Sequence, residues 1–160
     1  LVGAQYDKAL IPIFSYSKEH YMRVFLRNEK GKNKADEILE QHNFFGGAGP
    51  MWLGKLWDSQ LCNRILNNAI KNNIFSKNKN LINFLRIIKE ESKINAAGFY
   101  DLNHIAEKNK IKNLPKKEVI KEKTKKLGYK VSDTHFKGEG IRSNIPYSKL
   151  IKLLKTNKFL

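Results

Sequence analysis

The chain has a single cysteine, Cys62, which excludes an intrachain disulfide and any zinc site built from four cysteines of this chain. Its four histidines, at 20, 42, 104 and 135, are too scattered for a ligand motif, so no metal is expected. There is no apolar run of about 18 residues, the length a membrane-spanning helix needs, and no charged segment leading into an apolar one at the start. Membrane insertion and secretion are both disfavoured, and a reducing, cytoplasmic compartment is expected. Acidic residues are also scarce, 15 against 31 Lys plus Arg, which leaves a formal charge of +16 and a sequence pI near 9.9. No packed core requires that excess, and a polyanionic partner is the first expectation.

What remains is enough to fold. Within 160 residues, 41% are hydrophobic and 17 are aromatic, which suits one domain or two very small ones rather than a disordered basic tail. The charge is uneven: residues 101–160 hold 16 Lys or Arg and 6 acids, net +10, whereas residues 1–100 hold 15 and 9, net +6.

Two extended runs, 9–16 and 20–27, separated by Ser17-Lys18-Glu19, read as a β-hairpin. The first run is almost wholly apolar, as in a strand buried on both faces, and two strands alone are marginal in water. The hairpin therefore needs a sheet that this chain does not supply. After a short helix around 35–41, Gly46-Gly47-Ala48-Gly49-Pro50 forms the main break. Asp58 is placed to cap a helix burying Leu61, Cys62, Ile65, Leu66, Ala69 and Ile70, with Asn72-Asn73 ending it. A second helix is expected over about 80–93, burying Leu81, Phe84, Leu85 and Ile88. A third follows Asp101 as N-cap, and Pro115 stands at the first position of a fourth, which Gly128 stops. Two short extended runs, 129–136 and 140–143, then precede a last helix burying Tyr147, Leu150, Ile151 and Leu154. Three helices running into a β-hairpin suggest a winged helix.

The fourth helix carries Lys117, Lys121 and Lys125 four residues apart on one stripe, beside an inward face of Ile120, Thr124 and Leu127. That is the geometry of a basic helix laid on a phosphate backbone. Five such lysines would give a log–log salt slope of roughly −3.5 to −4.5, whereas a merely solvated face gives almost none. The following hairpin adds Lys130, His135, Lys137 and Arg142, of which Arg142 suits bidentate phosphate contact, although a lone hairpin histidine is more often structural. Trp52 is a candidate for stacking an unpaired base, with interdomain packing the plainer role for Trp52 and Trp57. The glycines at 46–49 lack both the GxGxxG spacing and a P-loop Lys-Ser/Thr. Cys62 lies in an apolar stripe, where a thiol is inert. Glu90 and Glu91 are expected on a helix surface, pointing different ways, so neither forms a carboxylate pair.

Three segments together resemble the tRNA guanine-26 N2-dimethyltransferase family, its archaeal form above all. Ile11-Pro12-Ile13-Phe14-Ser15-Tyr16 leading to Glu19-His20-Tyr21-Met22-Arg23-Val24 is similar to the family's Pro-x-x-Ser and Asp-His-Tyr-x-Arg-Val, with Glu19 for Asp. The run from Gly49 to Asp58, GPMWLGKLWD, is similar to Gly-Pro-Leu-Trp-x-Gly-x-Leu-x-Asp and is the most specific of the three. Ser132-Asp133-Thr134-His135 through Gly140-Ile141-Arg142-Ser143-Asn144 resembles Ser-Arg-Thr-His-x-x-x-x-Gly-Ile-Lys-Thr-Asp, with Asp133 where the family has Arg.

The resemblance implies an α+β protein: a β-hairpin closing a Rossmann-like methyltransferase sheet, then a mostly helical, winged-helix-like C-terminal domain. Residues 1–28 would be a helix end and the hairpin, 29–48 a linker, and 49–160 the tRNA-binding domain. S-Adenosylmethionine would be bound by an upstream methyltransferase domain, because the family's glycine loop, ribose-binding acid and Asp-Pro-Phe/Tyr-Gly motif do not occur here. Many relatives carry a four-cysteine zinc-type insert ahead of the second motif, whereas residues 29–48 contain no cysteine. Expected partners are tRNA and the upstream domain. The rival reading is a free-standing winged-helix DNA-binding regulator, which has no use for half a sheet.

Overall fold

The computed structural model describes residues 1–155. The chain divides into two compact units, Leu1–Leu85 and the segment from Arg86 onward.

The first unit opens with a short 3-10 turn, Val2–Tyr6, and a long antiparallel hairpin, β1 (Lys8–Lys18) and β2 (Tyr21–Lys30). The register runs from Lys8 opposite Lys30 to Lys18 opposite Tyr21, shifting between Pro12 and Phe14. Proline has no N–H for the ladder, so a bulge beside it is where a long strand tolerates one. Glu19, at φ 53, takes the left-handed position of the turn. Helix α1 (Lys32–Glu40) buries Ala35 and Ile38. The stretch expected as a linker contains α1 and then a second hairpin, β3 (His42–Phe45) and β4 (Ala48–Trp52), whose turn is Gly46-Gly47. Both glycines have positive φ, 61° and 83°, which a two-residue hairpin turn matched to strand twist requires.

Helix α2 (Ser59–Lys71) starts where expected. Asp58 Oδ1 accepts from the backbone N–H of Gln60 and Leu61 at 2.9 and 3.0 Å, and Asn72 closes the helix. Its apolar face meets the start of α3 (Lys79–Glu91) in a core of Leu66, Ala69, Ile82 and Leu85, with Phe14 of β1 packed against it. Trp57 is buried in the same unit, and its Nε1 donates to Ser15 O at 2.7 Å. These ties hold β1 and α2 together, so the expected boundary at 48 falls inside the first unit, and α3 carries the chain into the second.

The second unit contains β5 (Tyr100–Asp101), α4 (Leu102–Lys108), α5 (Lys117–Lys126), β6 (Val131–Asp133), β7 (Gly140–Ser143) and α6 (Tyr147–Lys155). Its three strands form one antiparallel sheet in the order β5-β7-β6. Asp101 caps α4 by accepting from His104 N at 3.2 Å. Pro115 is not in α5: Lys116 is the N-cap, and the proline ends the preceding loop. Gly128, at φ 83, follows the last helical turn as the left-handed stop. One core joins these elements through Leu102, Ile105, Ile120, Val131, Ile141, Ile145, Leu150, Leu153 and Leu154. Tyr147, expected in the core, is 41% exposed, and Leu153 takes its place.

Candidate nucleic-acid interface

Of the eight candidate residues, seven lie in the second unit, and Trp52 lies in the first. Trp52 is half-buried, with its ring edge-on to His42 at 5.4 Å and Nε1 donating to Lys55 O at 3.2 Å.

Glu91, at the end of α3, is a fully buried carboxylate of the second unit. Its Oε1 accepts from Thr134 Oγ1 at 2.6 Å and from Arg142 Nε at 3.1 Å; its Oε2 accepts from His135 N at 3.1 Å and contacts His135 Nδ1. Arg142 also donates Nη1 to Ala96 O at 2.7 Å. Burial pushes the Glu91 carboxyl up, but the His135 ring and the Thr134 hydroxyl outweigh it and hold the group below its ordinary value. An ionised carboxylate saturated by such donors is the arrangement in which buried charge is tolerated.

This corrects the expectation for Glu91, which is fully buried rather than on the helix surface. It also locates His135 and Arg142. Both side chains are buried to within 2% and point inward, so they pin the β6–β7 loop to α3 instead of facing outward. The sequence held a signal for Glu91: it lies three residues past Ile88, on the stripe that already buries Leu85 and Ile88. Gly140 belongs to the same construction. A Cβ there would come within 2.6 Å of Thr134 Cγ2, so only glycine lets β7 pass the threonine.

Asp133 organises the basic stripe. Lys121 Nζ donates to its Oδ2 at 2.7 Å, and Lys117 Nζ lies 3.1 Å from Oδ1 while donating to Gly138 O at 2.7 Å. Burial would raise the Asp133 carboxyl, but the two ammonium groups keep it below its ordinary value. Asp101 is likewise lowered, chiefly by Lys137, whose Nζ donates to it at 2.5 Å. Three of the candidate lysines thus face carboxylates of the fold. Lys125 and Lys130 are exposed.

Among the described residues, no group of three or more His, Cys, Asp or Glu is placed to hold a metal ion, and no helix is long and apolar enough to cross a membrane.

A family model described as "N2,N2-dimethylguanosine tRNA methyltransferase" matches residues 2–46 and 42–155, breaking at the β3–β4 hairpin. The tRNA (guanine(26)-N(2)/guanine(27)-N(2))-dimethyltransferase of Aquifex aeolicus is 33% identical over 183 residues, covering 96% of this chain and 45% of its own length. The tRNA (guanine(26)-N(2))-dimethyltransferase of Pyrococcus abyssi is 28% identical, covering 98% and 45%. Among solved structures, Trm1 from Pyrococcus horikoshii, in complex with S-adenosyl-L-methionine, superposes with a TM-score of 0.85 at 28% identity over 96% of this chain and 47% of that one. The chain thus spans just under half the length of these relatives. Matched almost end to end by the family model, it belongs to the N2,N2-dimethylguanosine tRNA methyltransferase family.

Proposed function

We propose that the chain is the tRNA-handling part of a tRNA guanine-N2 methyltransferase, with S-adenosylmethionine held and methyl transfer carried out by the part of the enzyme that these 160 residues do not include. The observation that carries this is the family match over nearly the whole chain, together with a net +10 concentrated beyond residue 100. Nothing among the present residues fits the methyl donor: no glycine loop between strand and helix is followed by an acid for the ribose. The chain's own task is therefore binding and orientation. A guanine amine is a poor nucleophile, and holding it in line is worth a large fraction of the barrier. The base must also leave its stack, at a typical cost of a few kcal/mol that flanking phosphate contacts offset.

Two features support the division of labour. Strand β2 is bonded to β1 alone among the described residues, yet Met22, Val24, Phe25 and Leu26 on it are exposed. An edge strand whose first six residues, 21–26, are apolar but for Arg23 and lie exposed suits closure of a larger, Rossmann-like sheet. In the second unit, the succession β5, α4, α5, β6, β7 with sheet order β5-β7-β6 supports a winged-helix reading, the β6–β7 loop being the wing. Lys125 and Lys130 are then the members of the expected set best placed for phosphate.

The test is binding of tRNA against duplex DNA at matched salt, together with methyl transfer by the chain alone and with the upstream domain. The reading requires a preference for tRNA and methyl transfer only when the upstream domain is present. Preferential duplex binding, with no gain from the upstream domain, would instead favour a DNA-binding regulator.

A further inference from the structure

Phe99 and Phe136 lie parallel at the surface of the second unit, their ring centres 5.4 Å apart and their planes within 3° of each other. Each is 37% exposed, and neither belongs to the core around Leu102 and Ile141 or to the side chains packed against it. One exposed phenylalanine calls for no explanation; two brought together from separate segments, outside the core, do.

The backbone turns both rings outward. Phe99 precedes Tyr100 at the start of β5, and Tyr100 packs on the core with its hydroxyl donating to Ile145 O at 2.6 Å. Alternation along an extended chain sends Phe99 to the other face. Phe136 follows His135, whose side chain is buried against Glu91, and it opens the exposed loop tip 136–139.

The pair is also held in place. A Cβ at Gly140 would stand 3.0 Å from Phe99 Cδ2, so glycine in β7 lets that ring lie close to the strand. The Arg142 guanidinium carbon is 6.0 Å from the centre of the Phe136 ring. On one side of the tip Thr134 and His135 donate to Glu91, and on the other Lys117 donates to Gly138 O. The buried Glu91 network thus fixes the segment from which Phe136 projects.

We propose that Phe99 and Phe136 form a stacking platform for one unpaired base of the bound tRNA. The proposal rests on the tRNA-handling role above and names a contact that none of the lysines supplies. Offset parallel rings are an arrangement that a further aromatic plane extends, and every base has such a plane. Phe136 lies in the stretch 101–160, whose net charge of +10 already counts its acidic residues. A ligand complementary to an aromatic surface in that field is a polyanion with planar groups, which is what unpaired RNA offers. The adjacent Lys137 is held by Asp101, so the loop tip contributes stacking rather than phosphate contact.

The test titrates an unmodified tRNA transcript into the full chain across a salt series for the wild type, F136L and F136Y. Leucine keeps apolar volume but has no plane to stack, whereas tyrosine keeps the plane. F136L is expected to weaken binding about 5- to 150-fold at every salt concentration without changing the log–log slope, and F136Y to stay within about twofold of wild type. Urea midpoints verify that the three fold alike. Should F136L lose stability, F136W carries the test: its indole emission, read against the wild-type background of Trp52 and Trp57, is expected to be quenched by the transcript. Equal binding by F136L and F136Y, a flattened slope in F136L, or no added quenching in F136W overturns the platform and leaves the tRNA-handling role standing. So does an F136L chain that binds tRNA normally but supports methyl transfer poorly with the upstream domain, which would make the pair an interdomain contact. A wild-type chain that binds no tRNA at any salt overturns the role and the platform together.

Discussion

Arg142 Nε donates to Glu91 Oε1 at 3.1 Å across 51 positions of sequence, with neither side chain more than 2% exposed. The pair joins the end of α3 to β7, and Thr134 and His135 complete it from the intervening loop. Removing one partner leaves a buried charge without compensation, so Arg142→Ala is expected to destabilise the second unit by about 3–5 kcal/mol. Arg142→Lys, the residue its family resemblance suggests at this position, is expected to lose less. Urea unfolding of both variants checks this, and an Arg142→Ala loss below about 1 kcal/mol would show the guanidinium to be dispensable.

The same carboxylate gives stability an acid limb. The folded Glu91 carboxyl ionises below its ordinary value of 4.5, so its contribution is complete above that pH and lost as pH falls through the folded value. Asp133 and Asp101, also lowered, contribute in the same direction. Urea midpoints are expected to hold steady from about pH 7 to 5 and fall below roughly pH 4.5. Glu91→Gln should lower the plateau and shallow the fall; an unchanged acid limb in that variant would remove Glu91 from the account.

Asp133 restrains two lysines of the α5 stripe. Asp133→Asn frees Lys117 and Lys121, and if tRNA passes over this face, the variant binds more tightly, with a salt slope steeper by about 0.7 to 1.8, that is, by one or two further contacts. Filter binding at four salt concentrations decides it. An unchanged slope would place this face away from the RNA and leave those lysines as supports for β6.

Gly47, at φ 83, has open space where a Cβ would stand, so substitution there is a matter of backbone alone. Gly47→Ala is expected to cost about 1–2 kcal/mol, and Gly46→Asn much less, since asparagine tolerates the left-handed conformation. Thermal melts of the two variants give the comparison directly.

Element by element, the local chemistry was readable. Asp58, Asn72, Asp101 and Gly128 bound their helices as capping rules require, because caps depend on a few neighbouring residues. The β3–β4 hairpin was not readable: its strands, His42–Phe45 and Ala48–Trp52, are short and largely exposed, so no burial pattern distinguishes them from a linker. The candidate site was legible in its charges but not in their pairing. Periodicity put Lys117 and Lys121 on one face of α5, and only the fold brings Asp133 to them. His135 and Arg142 carry a family motif at the surface-looking end of a hairpin, yet their partner Glu91 is more than 40 positions away.

The Gly46-Gly47 turn closes a hairpin in two residues at the point where the family match breaks, and the Aquifex alignment spans more positions than this chain has. Neither Gly46 nor Gly47 has anything within 4 Å of where a Cβ would stand, so the turn projects into open space and a longer connection there meets no neighbouring side chain. That makes the turn the place in the first unit where an inserted reporter or small folded module is best tolerated.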